Sequence, residues 1–347
     1  MYYPTVSVML VNYNSKKYAE ESINSILSQN YPKSKIYIIV VDNASSDGSI
    51  EFLKEKFGNK IRLIESKENR GFAGGTNLGF RYAKGEFILL FNIDAIAPKD
   101  YLRTIVSECL KNKKIVAVGS YDFPPNTNLD KEKPSKGYTI NLVGGNVDVP
   151  NQFKTIGGGG VGLLIRRSEL DHHLFDEDYF LYFEETKFGW ECNIRGYEVI
   201  CSPKCKIWHY GSAICGKVSP LKTYYSERNR VMSLLVCFEL GTLMKISPLF
   251  LIDSALRFGY YLLRPKLFVS YLKAMGWIIT HIPLIITKKR EFNRLRKLKD
   301  RYIFHLLSYK LFTRYRTKQN AAFWNTLDFL IKCYLKLVKI RTGDMEQ

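Results

Sequence analysis

The sequence predicts an α/β domain built on a mostly parallel sheet with flanking helices, followed by an all-helical C-terminal region. Three observations predict it. Short β-branched runs alternate with helical patterns over the first hundred residues, polar residues cluster where those runs end, and the last third of the chain loses both its strand signals and most of its acids. Strands alternating with helices imply right-handed crossovers and hence a mostly parallel sheet.

The elements follow in order. Thr5 to Val11 is a β-branched apolar run and reads as a buried strand. Lys16 to Gln29 places Tyr18, Ile23, Ile26 and Leu27 near helical spacing, with Pro32 beyond its end. Ile36 to Val41 is a second buried strand that ends at Asp42; Ile50 to Lys56 is helical and Gly58 closes it; Ile61 to Glu65 is a third strand. Phe72 to Lys84 reads as a glycine-rich helix capped by Gly85, and Phe87 to Phe91 as a fourth strand ending at Asn92-Ile93-Asp94. Residues 120–155 lose periodicity; Pro124-Pro125, Asn126, Asn128, Pro134 and Gly137 mark a long loop. Gly157 to Gly160 leads into a strand over Val161 to Ile165. Phe180 to Ile194 reads as a helix, Tyr197 to Cys201 as a strand, Ile207-Trp208-His209 as a short extended piece, and Pro220 to Phe238 as a long helix. From Ile246 onward the pattern is helical throughout. The resulting division is a catalytic-type domain over 1–240, with halves 1–119 and 120–240, and a basic amphipathic helical region over 241–347.

Composition bounds the function classes. The chain has 347 residues, 46% hydrophobic and 24% charged, which excludes wholesale disorder. Seven cysteines are too few and too irregular for a disulfide scaffold, and their odd number leaves a free thiol, which favours a reducing, cytoplasmic setting. Met1-Tyr2-Tyr3-Pro4 lacks a basic lead, and the apolar run from Val6 to Val11 is too short for a signal sequence. The net charge of +19 is unevenly spread: residues 231–347 hold 21 Lys and Arg against 7 Asp and Glu. Ala274 to Thr287 is the longest uncharged stretch there, and it is shorter than the roughly 20 residues a spanning helix needs. Residues 247–272 mix Leu, Phe and Tyr with Arg257, Arg264 and Lys266, a pattern suited to helices lying in a membrane interface. The expectation is a peripheral association with an anionic membrane surface at the inner face of the cell membrane; a buried hairpin in a soluble domain is the other reading of the same residues.

The chemistry-bearing residues lie at strand ends. Asn12-Tyr13-Asn14, Asp42-Asn43 and Asn92-Ile93-Asp94 each follow a predicted strand. In open α/β sheets, ligands bind at the carboxyl ends of strands, so three such ends point to a nucleotide-type site. A carboxylate one residue from another oxygen donor, as in Asn92-Ile93-Asp94, can hold Mg²⁺ or Mn²⁺ against a diphosphate; an Asp after a strand is also an ordinary turn former. Asn69 to Gly79 carries Gly71, Gly74, Gly75 and Gly79 at a helix start, which lets backbone approach an anion, although close packing on the sheet also accounts for Gly79. Glu184-Glu185 sits amid aromatics, where desolvation raises a carboxylate's basicity and suits a general base. Neighbours on a helix lie about 100° apart, so only one of the pair is expected to face a given site. Cys201, Cys205, His209 and Cys215 invite a zinc reading, but their spacing matches no standard module and zinc is rejected.

Taken together, Ser7 to Asn14, Val41 to Ser49, Asn69 to Gly79, Leu90 to Asp94, Phe183-Glu184-Glu185, Arg195-Gly196-Tyr197, Trp208 to Ser212 and Tyr224 to Asn229 resemble the family 2 glycosyltransferases, most of all a rhamnosyltransferase-like group acting in cell-surface polysaccharide assembly. The resemblance spans residues 5–235 in order. It implies a GT-A fold, Rossmann-like, in which a nucleotide-binding α/β half merges with an acceptor-binding half. It implies that Asp42 accepts the base N3–H of a uridine or thymidine nucleotide, with Asn12 and Tyr13 beside the base. Asn69, Gly74, Gly75, Asn77 and Asn92 would line the nucleotide-sugar, and Arg228 would contact its diphosphate. Asp94 and His209 would bind a divalent metal, Mg²⁺ or Mn²⁺, and Glu185, next to Glu184, would be the catalytic base. Two departures from the family pattern stand out. Ile93 occupies the middle of the metal motif and cannot ligate, and the base is Glu rather than Asp, which leaves it open between Glu184 and Glu185.

The activity so implied is an inverting transfer of a sugar from a UDP- or dTDP-sugar, dTDP-rhamnose among them, to a hydroxyl of a glycan or lipid-linked acceptor. Two other readings stand beside it. A nucleotidyltransferase would need a basic pyrophosphate loop, for which Asn69 to Gly79 offers only Arg70. A nucleic-acid-binding protein would use the basic last third, but no recognised nucleic-acid module is present and no nucleic-acid partner is expected.

Overall fold

A computed structural model describes residues 2–134, 136–150, 153–157, 159–170, 174–211, 218–312 and 320–345. The chain forms two compact units that interleave along the sequence: Met1–Ser135, Gly158–Phe188 and Glu198–Lys217 make the first, and Lys136–Gly157, Gly189–Tyr197 and Val218–Gln347 the second.

The first unit is built on an eight-stranded sheet. Its strands are β1 (Val6–Asn12), β2 (Ile36–Asp42), β3 (Arg62–Glu65), β4 (Phe87–Phe91), β5 (Ala95–Ile96), β6 (Ile115–Phe123), β9 (Gly162–Arg166) and β10 (Glu198–His209), while β7 (Lys136–Ile140) and β8 (Asn146–Pro150) belong to the other unit. Their order is β3-β2-β1-β4-β9-β6-β10-β5. β1 pairs in parallel with β2 and β4, and β6 in parallel with β10; β9 runs antiparallel between β4 and β6. The strands β1 and β4 are nearly continuous apolar runs because both faces are covered. Helices α1 (Lys16–Leu27), α2 (Ser49–Phe57), α3 (Gly71–Phe80) and α4 (Tyr101–Leu110) provide that cover. Val8, Leu10, Ile23, Leu53, Leu89, Ile105 and Leu164 are among the core residues this packing shields from water. Gly79 of α3 lies so close to the sheet that an added Cβ would sit 3.0 Å from Val41 Cγ2, the packing role that its spacing allowed.

Several elements differ from the sequence reading. Ile207-Trp208-His209 is not separate from the strand before it: β10 runs through Ser202-Pro203, with register shifts that absorb the interruption. The predicted long loop over 120–155 contains the end of β6 and a hairpin, β7 (Lys136–Ile140) with β8 (Asn146–Pro150). Helix α5 spans Glu184–Ile194, so its start lies four residues later than expected. Phe180, Tyr182 and Phe183 adopt φ of +60°, +69° and +70°, which no helix allows. α3 ends at Phe80 rather than Lys84, and Ser7 Oγ accepts from the amides of Lys84 and Gly85 at 3.0 Å.

The second unit comprises the β7–β8 hairpin, the later part of α5, and helices α6 (Pro220–Cys237), α7 (Leu240–Leu262), α8 (Pro265–Thr280), α9 (Ile282–Leu295) and α10 (Ala321–Leu337). Trp190 of α5 packs edge-on against Phe238, with ring centres 4.7 Å apart. Buried charges knit α6 to α7. Arg230 reaches Glu227 and Asp253 at 3.1 Å, Arg257 reaches both acids at 2.7 Å, and the Tyr261 hydroxyl donates to Glu227 Oε1 at 2.9 Å. Arg257, Tyr261 and Tyr271, which the sequence placed in an interfacial pattern, are thus packed inward: Tyr261 and Tyr271 stack with centres 5.0 Å apart. Among the described residues no single helix is long and apolar enough to cross a membrane; only α8 and α9 taken together, bent by 69°, reach that length and composition.

Candidate active site

The first unit gathers most of the predicted residues at the carboxyl ends of β1, β2, β4, β6 and β10. The parallel register sets Asn12 directly opposite Asp42. Asn12 Nδ2 donates to Asp42 Oδ2 at 2.7 Å and to Ser45 Oγ at 3.1 Å, and Asp42 Oδ1 accepts from the Ser45 amide at 2.8 Å. Both side chains are fully buried, yet Asn12 Oδ1 has no partner. The loops after these strands are held in left-handed backbone at Asn14 (φ +49°) and Ala44 (φ +66°), and Asn14 Oδ1 accepts from the Ser46 amide at 2.7 Å. Tyr13 lies between, partly exposed.

The glycine-rich segment is used differently. Asn43 links it to β2: its Nδ2 donates to Asn69 Oδ1 at 3.0 Å and to Gly71 O at 2.9 Å, and its Oδ1 accepts from the Arg70 amide at 3.1 Å. Asn69 Oδ1 also accepts from the Gly71 amide, and the Ala73 amide donates to Phe180 O. An added Cβ at Gly75 would lie 2.8 Å from Val11 Cγ1, and one at Gly74 2.7 Å from Arg70 Cβ. Asn77 spends its amide on one neighbouring segment, donating to Phe175 O at 2.8 Å and Glu177 Oε1 at 3.2 Å and accepting from the Leu174 and Phe175 amides at 3.0 Å. The structure therefore occupies Gly74, Gly75 and Asn77 in packing. Glu177, which the sequence did not single out, completes the arrangement with an ion pair to Arg70 at 2.9 Å. Burial opposes its charge, but the bonds from Arg70 and Asn77 outweigh that and hold its carboxyl below the usual value.

Asp94 and His209 meet. The β5–β10 pairing sets His209 opposite Ala95, and His209 Nε2 lies 3.3 Å from Asp94 Oδ1. Asp122, at the end of β6, holds the other ring nitrogen, Nδ1, at 3.0 Å. Sequence reasoning missed Asp122 because β6 itself was not recognised. Burial alone would lower the His209 pKa, but the bonds to Asp122 and Asp94 push it up to about 9. Ile93 points into the core, 2% exposed, as its side chain requires. The buried Oδ1 of Asn92 has no partner.

Glu184 and Glu185 also meet, contrary to the expectation that only one could face a given site. Their carboxyls are hydrogen-bonded to each other. Glu184 and Glu185 are the first two residues of α5, directly after the left-handed Tyr182 and Phe183. Burial, then the charge of Glu185, pushes the Glu184 pKa well above the usual carboxylate range; burial raises that of Glu185 as well. The Glu185 carboxylate rests on the Cα of Gly160, where any Cβ would collide with Oε1. Val161, the next residue, accepts from the Asn92 amide at 3.1 Å, so the acid pair lies one residue away from the Asn92–Asp94 turn. Each acid leaves its Oε2 buried without a partner. Of the eight buried side-chain polar atoms without a partner among the described residues, four belong to Asn12, Asn92, Glu184 and Glu185. Such atoms are costly in a core, and a bound ligand or water at these four would offset that cost.

Arg228 belongs to the other unit. Its guanidinium lies 4.6 Å from the Trp277 ring centre and 4.8 Å from that of Tyr225, and its Nε donates to Asn229 Oδ1 at 2.8 Å. Cys201 and Cys205 are buried and form no disulfide; Cys215, the other cysteine of the zinc reading, lies outside the described residues, as do Ser212 and Gly158.

A curled, mostly parallel sheet with acids and amides at its carboxyl edge is a GT-A fold. The likeness extends to solved structures: a mannosyltransferase of Pyrobaculum calidifontis in complex with GDP-Man and Mn²⁺ (TM-score 0.52, 19% identity, covering 98% of this chain and 84% of that one), and GalNAc-T7 with UDP, GalNAc and Mn²⁺ (TM-score 0.53, 14% identity, 67% and 49%). Residues 7–174 match glycosyl transferase family 2. It is 36% identical over 120 residues to an uncharacterized glycosyltransferase of Haemophilus influenzae, covering 34% of this chain and 36% of the other. It is 24% identical over 208 residues to a poly-β-1,6-N-acetyl-D-glucosamine synthase of Staphylococcus epidermidis, covering 58% and 49%. The chain thus spans from about a third to about half of the length of these curated relatives.

Proposed function

We propose that this chain is an inverting glycosyltransferase that moves a sugar from a UDP- or dTDP-sugar, dTDP-rhamnose being one candidate, to a hydroxyl of a glycan or lipid-linked acceptor. The observation that carries the reading is the buried acid pair Glu184–Glu185 beside the Asn92–Asp94 turn, a turn that lies in the segment matching glycosyl transferase family 2. Asp42 takes the base N3–H, with Asn12 and Tyr13 beside it; the bond that Asn12 already gives Asp42 fixes the carboxylate's orientation.

The donor set at Asp94 and His209 fits a divalent cation. Asp94 Oδ1 and His209 Nε2 are 3.3 Å apart, a separation that lets one ion about 2.1 Å from each lie between them. Asp122 on Nδ1 holds the ring so that Nε2 is the ligating nitrogen, the usual support for a metal-bound histidine. When bound, the cation offsets the charge that builds on the departing nucleoside diphosphate. Glu185 accepts the proton of the acceptor hydroxyl as its oxygen bonds to the anomeric carbon. The bond to the diphosphate breaks on the opposite face, which inverts the centre.

The test is binding and hydrolysis across UDP-, dTDP- and GDP-sugars, with and without Mn²⁺ or Mg²⁺. Metal-dependent binding of one pyrimidine donor, lost in Asp94→Ala, is the expected result. No donor binding under either metal would sink the reading.

A further inference from the structure

Helix α7 has two faces of opposite destiny. One carries Asp253 and Arg257 into the ionic cluster with Glu227 and Arg230, which pins the helix to α6. The other faces solvent, and it is apolar for most of the helix. Met244, Leu251, Phe258 and Leu262 are all exposed along it, with Met244 69% and Leu251 67% accessible. Pro248 and Ala255 lie on the same face, so between Ser247 and Arg264 it presents no charge. Five turns of a soluble helix ordinarily put charged residues there. The hydroxyl of Ser247 donates to Met244 O at 2.9 Å, satisfying the carbonyl that Pro248 leaves without its helical partner, so the stripe runs on an intact helix. α8 and α9 continue the same character with exposed Val269, Leu272, Ile279 and Ile282.

We infer that this face docks on an anionic lipid surface, with α7 lying in the plane of the interface. Charge selects this occupant. Between residues 240 and 290 the only acid is Asp253, which is buried, while Lys245, Arg264, Lys266, Lys273 and Arg290 are exposed on α7, α8, α9 and the turn that joins the first two. Basic side chains flanking a half-immersed apolar face are what phosphate headgroups reward, at about 1 kcal/mol per Lys or Arg near the surface. A second copy of the chain would bring two such basic rims together and is disfavoured by repulsion. Lying flat rather than crossing follows from the other face: Asp253 and Arg257 are committed to α6. The inference stands apart from the transfer reaction, and its test reads binding rather than turnover.

The experiment is co-sedimentation of the full chain with vesicles of phosphatidylcholine alone and of phosphatidylcholine with phosphatidylglycerol. The chain is expected to pellet with the anionic vesicles and to be released as salt screens the rim. Leu251→Glu with Leu262→Glu should weaken binding on the order of tenfold per leucine, from the lost apolar burial. Both positions are already exposed, so the fold tolerates the change. Lys266→Glu with Lys273→Glu, which leaves the apolar face untouched, should weaken binding about fivefold per lysine. The inference is overturned if the parent chain stays in the supernatant, or if both double variants bind as well as the parent. It is equally overturned if light scattering finds a dimer that Leu251→Glu with Leu262→Glu dissolves, since the occupant would then be a second copy.

Discussion

Glu184 and Glu185 hold their carboxyls against each other in a buried site, although adjacent residues inside a helix diverge. Two carboxyls can share a hydrogen bond only if one keeps its proton, so the pair titrates as a unit. The stronger upward pressure falls on Glu184, which carries both burial and the charge of its neighbour. Glu185 rests on Gly160 beside the Asn92 turn. The proposed transfer assigns the base to Glu185, with Glu184 the acid beside it.

Replacing Glu185 by Gln should therefore lower turnover on the order of 10²–10⁴-fold with little change in donor affinity. Glu184→Gln keeps a hydrogen-bond donor toward Glu185 and should cost far less. Steady-state rates on the donor found by the panel, paired with donor titration calorimetry, check both. Equal losses in the two variants would return the base assignment to an open choice.

The same pair makes stability fall as pH rises. A carboxyl whose folded pKa lies above its ordinary value of 4.5 favours the folded state while protonated. That contribution is complete below the unfolded pKa and is lost as pH climbs through the folded value. Glu184→Gln removes the ionisation it would otherwise resist. The variant should match the parent in acid and exceed it at mildly alkaline pH, as read by urea midpoints across that range. A parent whose stability rises from acid to alkaline pH, with the variant following in parallel, would contradict it.

Much of this site was legible because buried parallel strands read as unbroken apolar runs, so their polar ends stand out. Asn12, Asp42 and Asp94 were found that way. Asp122 was not, because β6 fell partly in a stretch whose prolines and asparagines masked the strand end. Gly75 and Asn77 were conspicuous, but a glycine required by Val11 and one required by a phosphate look the same in a sequence. The start of α5 was misplaced for a different reason. Phe180, Tyr182 and Phe183 have no business at positive φ by their residue type, and nothing in the letters announces it. Backbone held this way costs free energy and clusters where function needs a fixed geometry, and here it immediately precedes the acid pair.

Asp122 should matter to metal binding without being a ligand. It bonds Nδ1 of His209 and thereby directs Nε2 toward Asp94. Asp122→Asn is expected to weaken Mn²⁺ binding about 10–100-fold, the usual cost of losing such a support, while Asp94→Ala abolishes it. Spin-resonance titration of free Mn²⁺ reads this directly. Unchanged affinity in Asp122→Asn would mean that the ring is held by its packing alone.

Asp253 tests the second unit independently of the first. It accepts from Arg230 and Arg257 while fully buried, so Asp253→Ala strands two guanidinium groups on Glu227 alone. Removing one partner from a buried ionic cluster costs about 3–5 kcal/mol, because a desolvated charge is left uncompensated. Replacing Glu227, Asp253 and both arginines together by apolar residues of similar size should cost far less, since no charge is then stranded. Urea unfolding of the two variants separates the cases. If Asp253→Ala unfolds at the parent's midpoint, the cluster does not hold α7 to α6. The apolar face of α7 would then lack the anchor that keeps it turned toward solvent.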